Sequence, residues 1–94
     1  MVVSSIHYTF SAEDADKAAS IFGELRDASR REKGVISFEV GRGQEDPNVF
    51  ALWEEYRDEA AREAHLASDH FTRLVVNGVR PLATKRDFVA VVPL

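Results

Sequence analysis

Two alternating stretches, VVSSIHYTF (2–10) and VFALWEEY (49–56), constrain the fold of this chain more than any other feature. Successive side chains of a strand point to opposite faces, so alternation marks a half-buried strand. Ile6, Tyr8 and Phe10 share one face of the first stretch, and Phe50, Leu52, Glu54 and Tyr56 share one face of the second. VISFEV (35–40) alternates in the same way, with Ile36, Phe38 and Val40 together. DFVAVV (87–92) predicts a fourth strand, with Phe88, Ala90 and Val92 together. After the first strand, Ser11 stands before acidic residues as an N-cap, and Ala15, Ala18, Ala19, Phe22 and Leu25 recur at helical spacing. The pattern predicts a helix to about Lys33, closed by Gly34 as a C-terminal glycine. GRGQEDPN (41–48) is a hairpin connection rich in turn formers. RDEAAREAHLAS (57–68) predicts a second helix, with Asp58 and Arg62 spaced to pair on its surface. Asp69 can cap a further helical run, HFTRLVVN, which Asn77-Gly78 interrupts or ends and Pro81 stops from continuing far.

The order β-α-β-β-α-β implies two right-handed split crossovers. They build a four-stranded antiparallel sheet with both helices on one side, the ferredoxin-like α+β architecture. A chain of 94 residues makes a single domain, 1–94, of modest stability on its own. The sheet face turned away from the helices is expected to carry Val3, His7, Val35, Glu39, Val49, Ala51, Trp53, Val89 and Val91. Trp53 alone can bury roughly 150–250 Å². So apolar a face predicts a cover, and the simplest is a second copy of the same sheet, making a homodimer.

Composition narrows the partners. The net charge is −4, and the basic groups RREK (30–33) and KR (85–86) do not make a patch, so no nucleic-acid partner is expected. No apolar run approaches the roughly 20 residues of a membrane span, and MVVSSIHYTF lacks a positive n-region and a cleavage-type site. No membrane partner and no signal peptide are therefore expected. Cysteine is absent, which removes disulfides, thiolate catalysis and Cys-based zinc sites and fits a reducing cytoplasm, the expected localisation. Gly41-Arg42-Gly43 lacks the third glycine and the following helix of a dinucleotide fingerprint. Ser4, Ser5 and Ser37 lie outside any strand-turn-helix nucleophile context.

The chemistry lies in HLASDH (65–70) and in the strand LWEEY (52–56) before it. On one continuous helix, five residues advance by about 500°, so His65 and His70 diverge by roughly 140° and do not share a face. No metal site is expected on that ground. His65 falls on the apolar stripe with Ala61 and Ala64, whereas His70 sits just after a helix cap. Glu54 alternates with Leu52 and Tyr56 and so points under the helices, where a carboxylate needs partners: His65, Tyr8 and Tyr56 are the candidates. A carboxylate beside a histidine also orients an imidazole for proton transfer near neutral pH.

GVISFEV (34–40) followed by FALWEEYRDEAAREAHLASDHFTRL (50–74) resembles the antibiotic biosynthesis monooxygenase (ABM) domain. The residues that carry the resemblance are Glu54, Tyr56, Asp58-Glu59-Ala60, Ala64-His65, Ser68 and His70-Phe71. It implies a dimeric α+β barrel with a pocket between helices and sheet in each subunit. Members of that family include cofactor-independent oxygenases of phenols and quinols, haem-degrading enzymes and an isomerase of a phosphorylated signalling sugar. Val75 stands where haem-degrading members carry an axial histidine, and Ile6 lies near their first-strand asparagine, so haem degradation is not expected. Leu52 and Tyr56 stand where polyketide-oxidising members carry Asn and Trp.

The expected function is thus a cofactor-independent monooxygenase acting on a small phenol or quinol. His65 is the expected base and Glu54 its orienter, with Tyr56 and His70 as polar contacts to substrate. Phe10, Phe38, Phe50, Phe71 and Leu74 are the expected apolar walls. The alternatives are an isomerase or enolising enzyme on a small carbonyl or sugar-derived metabolite, which would turn over without oxygen, and a non-catalytic dimeric metabolite-binding domain.

Overall fold

The computed structural model describes all residues 1–94. Its elements are β1 (Val2–Phe10), α1 (Ala15–Arg30), β2 (Val35–Arg42), β3 (Val49–Tyr56), α2 (Glu59–Leu66), α3 (residues 69–82) and β4 (Ala83–Val91). The strands form one antiparallel sheet in the order β2-β3-β1-β4, the ferredoxin-like topology expected from the element order. β1 and β3 are central. The helices cover one face, and Ile6, Tyr8, Phe10, Phe38, Phe50 and Leu52 from the sheet meet Ala18, Phe22 and Leu25 of α1 and Leu74, Val75 and Val79 of α3 in one core.

Several local expectations change. Ile36 does not face the helices; it is 57% exposed. Val35 pairs with Tyr56 and Ser37 with the adjacent Glu55, so Ile36 is the extra residue of a β-bulge. The bulge turns Val35, expected on the outer face, against the core. β4 starts at Ala83 rather than Asp87, and its residues Phe88, Val89 and Ala90 are exposed because it is an edge strand beyond the helices. Val92 lies past the strand and is exposed as well. Val3 is on the outer face but already buried, between its cross-strand neighbours Glu55 and Val91.

Helix boundaries move for identifiable reasons. Ser11 opens a turn, its carbonyl accepting from the backbone N–H of Asp14 and Ala15, so α1 begins three residues later than its cap-like sequence suggests. α1 ends at Arg30, and residues 31–34 form a turn in which the Glu32 N–H donates to the Ser29 carbonyl and the Val35 N–H to the Glu32 carbonyl. Gly34 is not left-handed, since no glycine has positive φ. It is there for space: a Cβ would stand 2.2 Å from the Cβ of Ala61 on α2. Asp58 caps α2, its carboxylate accepting from the Ala61 N–H at 2.8 Å. Arg62 pairs with Glu59, one turn away, rather than with Asp58.

Ser68, not Asp69, is the cap between α2 and α3. Its hydroxyl donates to the His65 carbonyl at 2.7 Å and accepts from the Phe71 N–H at 3.2 Å, ending one helix and starting the next. α3 then runs through Asn77-Gly78 without a break, as an α turn (Asp69–Phe71), a π-helical stretch (Thr72–Val79) and a last α turn (Arg80–Leu82). Gly78 lets α3 sit close on α1: a Cβ there would be 3.4 Å from Ile21 Cγ2 and 3.2 Å from the Arg73 carbonyl oxygen. No helix is long and apolar enough to cross a membrane.

The Gly34–Ala61 contact generates a direct test. Gly34→Ala overpacks the junction and should lower unfolding free energy by about 1–3 kcal/mol in urea denaturation. Adding Ala61→Gly should return most of the loss, less the helix-propensity cost of about 1 kcal/mol. If the double variant is no more stable than Gly34→Ala alone, the close approach is not what requires glycine.

Candidate functional site

Two carboxylates organise the space between sheet and helices. The first is Glu32, in the turn after α1. Its Oε2 accepts from His65 Nδ1 at 2.7 Å and from His70 Nε2 at 2.8 Å. A carboxylate offers only acceptor sites, so both imidazoles donate to it. The neutral form of His65 that fits this contact has its proton on Nδ1 and its lone pair on Nε2. His65 is 1% exposed and is boxed by the rings of Tyr56, Phe38, Phe71 and His70, whose centroids lie 5.3–5.9 Å from its own.

The helical-angle argument against a meeting of the two histidines does not hold, because α2 and α3 are separate helices with Ser68 at the corner. Glu32 Oε2, His65 Nδ1 and His70 Nε2 lie within 4.8 Å of one another, a donor set chemically able to take a divalent metal. As they stand they are closed by hydrogen bonds. Ligands at 2.0–2.1 Å from one tetrahedral zinc would be roughly 3.3 Å apart, so a metal would have to spread the triad.

The second carboxylate is Glu54, buried on the helix-facing side of β3 as its alternation predicts. Its Oε1 accepts from the Tyr56 hydroxyl at 2.5 Å, the i, i+2 neighbour on the same face. Burial raises the Glu54 carboxyl above the usual carboxylate range, and the Tyr56 hydrogen bond and the charges of His65, Arg86 and Arg62 only partly offset it. Burial, and then the Glu54 charge, push the Tyr56 phenol far up, which keeps Tyr56 a hydrogen-bond donor. The expected pairing of Glu54 with His65 is corrected: the direct carboxylate partner of His65 is Glu32.

Glu54, Tyr56 and His65 all line one cavity of about 140 Å³ between sheet and helices. Its apolar wall includes Ile6, Leu52, Phe22, Val75 and Phe71. Since Nδ1 of His65 is held by Glu32, Nε2 is the nitrogen left for this space. Ser4, Tyr8, Arg62, Arg80 and Arg86 supply further polar groups. Of the expected substrate contacts, Tyr56 and Phe71 reach the cavity and His70 does not; it stands behind His65 on Glu32. Phe10, Phe38 and Phe50 are core residues rather than walls: Phe10 and Phe50 pack edge-on at 5.7 Å, and Phe38 lies against His65. Leu74 is likewise buried in the core. Sequence reasoning missed Glu32 and the three arginines. Glu32 lies in a turn far from both histidines in sequence, and the arginines come from three elements.

Comparison with known proteins agrees with this architecture. A family model described as antibiotic biosynthesis monooxygenase matches residues 1–76. A protein of Bacillus subtilis (strain 168) described as "Putative monooxygenase YcnE" is 27% identical over 89 residues, covering 95% of this chain and 94% of its own. A crystal structure described as an antibiotic biosynthesis monooxygenase superposes with a TM-score of 0.92 at 26% identity, covering 100% of this chain and 99% of the other. PA3566 from Pseudomonas aeruginosa has the same fold, with a TM-score of 0.91 at 24% identity over 99% of this chain and 93% of its own.

The raised carboxyl of Glu54 has a pH signature. Its contribution to stability is fully present below the ordinary carboxylate pKa and is lost as pH rises through the raised folded value. Glu54→Gln should flatten that decline, which urea denaturation across acidic to neutral pH would measure. An unchanged slope in the variant would mean that Glu54 is solvated in the folded protein.

Proposed function

The chain belongs to the antibiotic biosynthesis monooxygenase family, and we propose that it is a cofactor-independent monooxygenase of a small phenol or quinol, with His65 as the base. The observation that carries this reading is the hydrogen bond from His65 Nδ1 to Glu32, which leaves Nε2 as the free nitrogen of an imidazole lining a ring-sized cavity. An apolar cavity of about 150 Å³ holds one benzene ring.

In this reading Nε2 of His65 takes the phenolic proton, and Glu32 stabilises the imidazolium that forms. Tyr56 and Glu54 contact the substrate oxygen, and the apolar wall keeps water from the resulting anion. The electron-rich anion reduces dioxygen itself. One oxygen atom bonds to a ring carbon that loses its hydrogen, the other leaves as water, and the phenol becomes a quinone, so no external reductant is consumed. Glu32 acts through His65 and is a positioning residue. His70 donates to the same carboxylate oxygen and holds it in place from the solvent side.

The assay is oxygen uptake with hydroquinone. Uptake and substrate loss should be one to one, and His65→Ala should lower the rate on the order of 10²–10⁴-fold with the fold intact. Glu32→Gln should cost less and should shift the pH dependence of the rate. Turnover of a carbonyl substrate under strictly anaerobic conditions would assign the chain to the isomerase class instead. Full activity in His65→Ala would leave His65 a structural residue.

The proposal includes a homodimer through the outer sheet face. Trp53 is 40% and Val89 57% exposed there, with Ala51 beside them on β3, which supports a partner that covers the face. Light scattering should give twice the chain mass at micromolar concentration. Trp53→Asp should shift the protein toward monomer, because it puts a charge in an apolar contact. A monomeric wild type overturns this part of the proposal.

A further inference from the structure

The chain is acidic overall, with a net charge of −4, yet three arginines converge on the cavity: Arg62 from α2, Arg80 from α3 and Arg86 from β4. Among the charged groups of the wall, only Glu54 opposes them, and burial biases its carboxyl toward the neutral form.

Ion pairing sets Arg80 and Arg86 apart from Arg62 and from most of the other arginines. The chain has nine, and six of them (Arg26, Arg30, Arg42, Arg57, Arg62 and Arg73) pair with a carboxylate. Arg31, Arg80 and Arg86 do not, and two of those three line the cavity. Their guanidinium groups are held by faces rather than edges. Arg80 Cζ lies 5.4 Å over the Phe71 ring, and Arg86 Cζ lies 5.4 Å from the centroid of Phe88 and 5.8 Å from that of Tyr8. A cation–π contact of this kind restrains the guanidinium without using its N–H donors. Arg86 spends Nε on the Tyr8 hydroxyl at 3.3 Å and keeps both Nη groups, while Arg80 makes no side-chain hydrogen bond within the protein. Preoriented guanidinium forks with unused donors are suited to an oxyanion.

We propose that Arg80 and Arg86 form an anion-recognition edge on the cavity, so that the preferred ligand is a single aromatic ring bearing an oxyanion substituent, a carboxylate or a phosphate. The ring lies against the apolar wall and presents its hydroxyl to His65, and the oxyanion reaches the arginines at the mouth. This specificity rests on the reading of the cavity as the substrate site, but it is a binding property and is measurable without turnover.

The experiment is calorimetric titration, without oxygen and at low salt, of three probes: hydroquinone, 2,5-dihydroxybenzoate and phenyl phosphate. At least one anionic probe should bind about tenfold or more tightly than hydroquinone, as charge-assisted hydrogen bonds imply. Which anionic probe wins distinguishes carboxylate from phosphate recognition. Arg86→Gln and Arg80→Gln should each reduce the ratio of anionic to neutral affinity about tenfold. Arg86→Lys should restore part of it, and Arg57→Gln, at an arginine that does not line the cavity, should leave the ratio unchanged. Equal affinities for neutral and anionic probes, or a ratio untouched in both cavity variants, overturns the proposal. Retained discrimination in a protein that consumes no oxygen with any of these probes would overturn the oxygenase reading and leave the anion site standing.

Discussion

One carboxylate oxygen, Glu32 Oε2, takes hydrogen bonds from two imidazoles, and the site depends on that bridge. It joins the turn after α1 to α2 and to the first turn of α3. A histidine as deeply buried as His65 would otherwise leave a polar nitrogen without a partner, at a cost of about 1–3 kcal/mol. Glu32 can reach it only because α2 comes close to that turn, and α2 can come close only because Gly34 has no side chain where Ala61 passes. The Arg57 N–H donating to the Gly34 carbonyl at 2.8 Å fixes the same junction from the β3 side. Packing at a glycine thus sets the electrostatics of a histidine.

The two carboxylates of the site are set up for different work by their surroundings. Glu32 is the acceptor of a two-histidine bridge and stays partly in contact with solvent. Glu54 has a single phenolic donor, sits deep against the sheet and is driven toward its neutral form. His65 stands between them, fixed by one and facing the cavity that the other lines. Around this centre the arginines at the mouth add positive charge that the chain as a whole does not have. The π-helical stretch of α3 carries Val75 into the cavity wall, and the last turn of the same helix carries Arg80. Wide turns of this kind are uncommon and recur at functional sites.

Much of the architecture was legible in the residues alone. β1 and β3 alternate without interruption, so their extents and buried faces follow from period two, and Glu54 with Tyr56 follows from the same rule. The histidines were misread through an assumption of continuity. Asp69 reads as a cap, but the angle between the histidines assumes one helix, and the corner is fixed only when the Ser68 hydroxyl finds the His65 carbonyl and the Phe71 N–H. The bulge at Ile36 was equally invisible, since a shifted pairing register belongs to two strands at once. Gly34 was legible as a required glycine but for the wrong reason: it makes room for a neighbouring helix and does not supply a left-handed turn.

The sequence by itself determined the element order, the ferredoxin-like topology, the burial of the helix-facing residues of the two central strands, β1 and β3, and the presence of a carboxylate beneath the helices. Those properties are periodic or local, and short-range sterics and hydrophobic alternation dictate them. Only the tertiary structure decided which acid holds His65, that His70 stands behind it rather than in the cavity, that Phe10, Phe38 and Phe50 fill the core, and that Arg62, Arg80 and Arg86 line one cavity. Each of these is a pairing between residues distant along the chain. Its outcome rests on the angle and spacing of packed helices, which a few ångströms of room at Gly34 and Gly78 control.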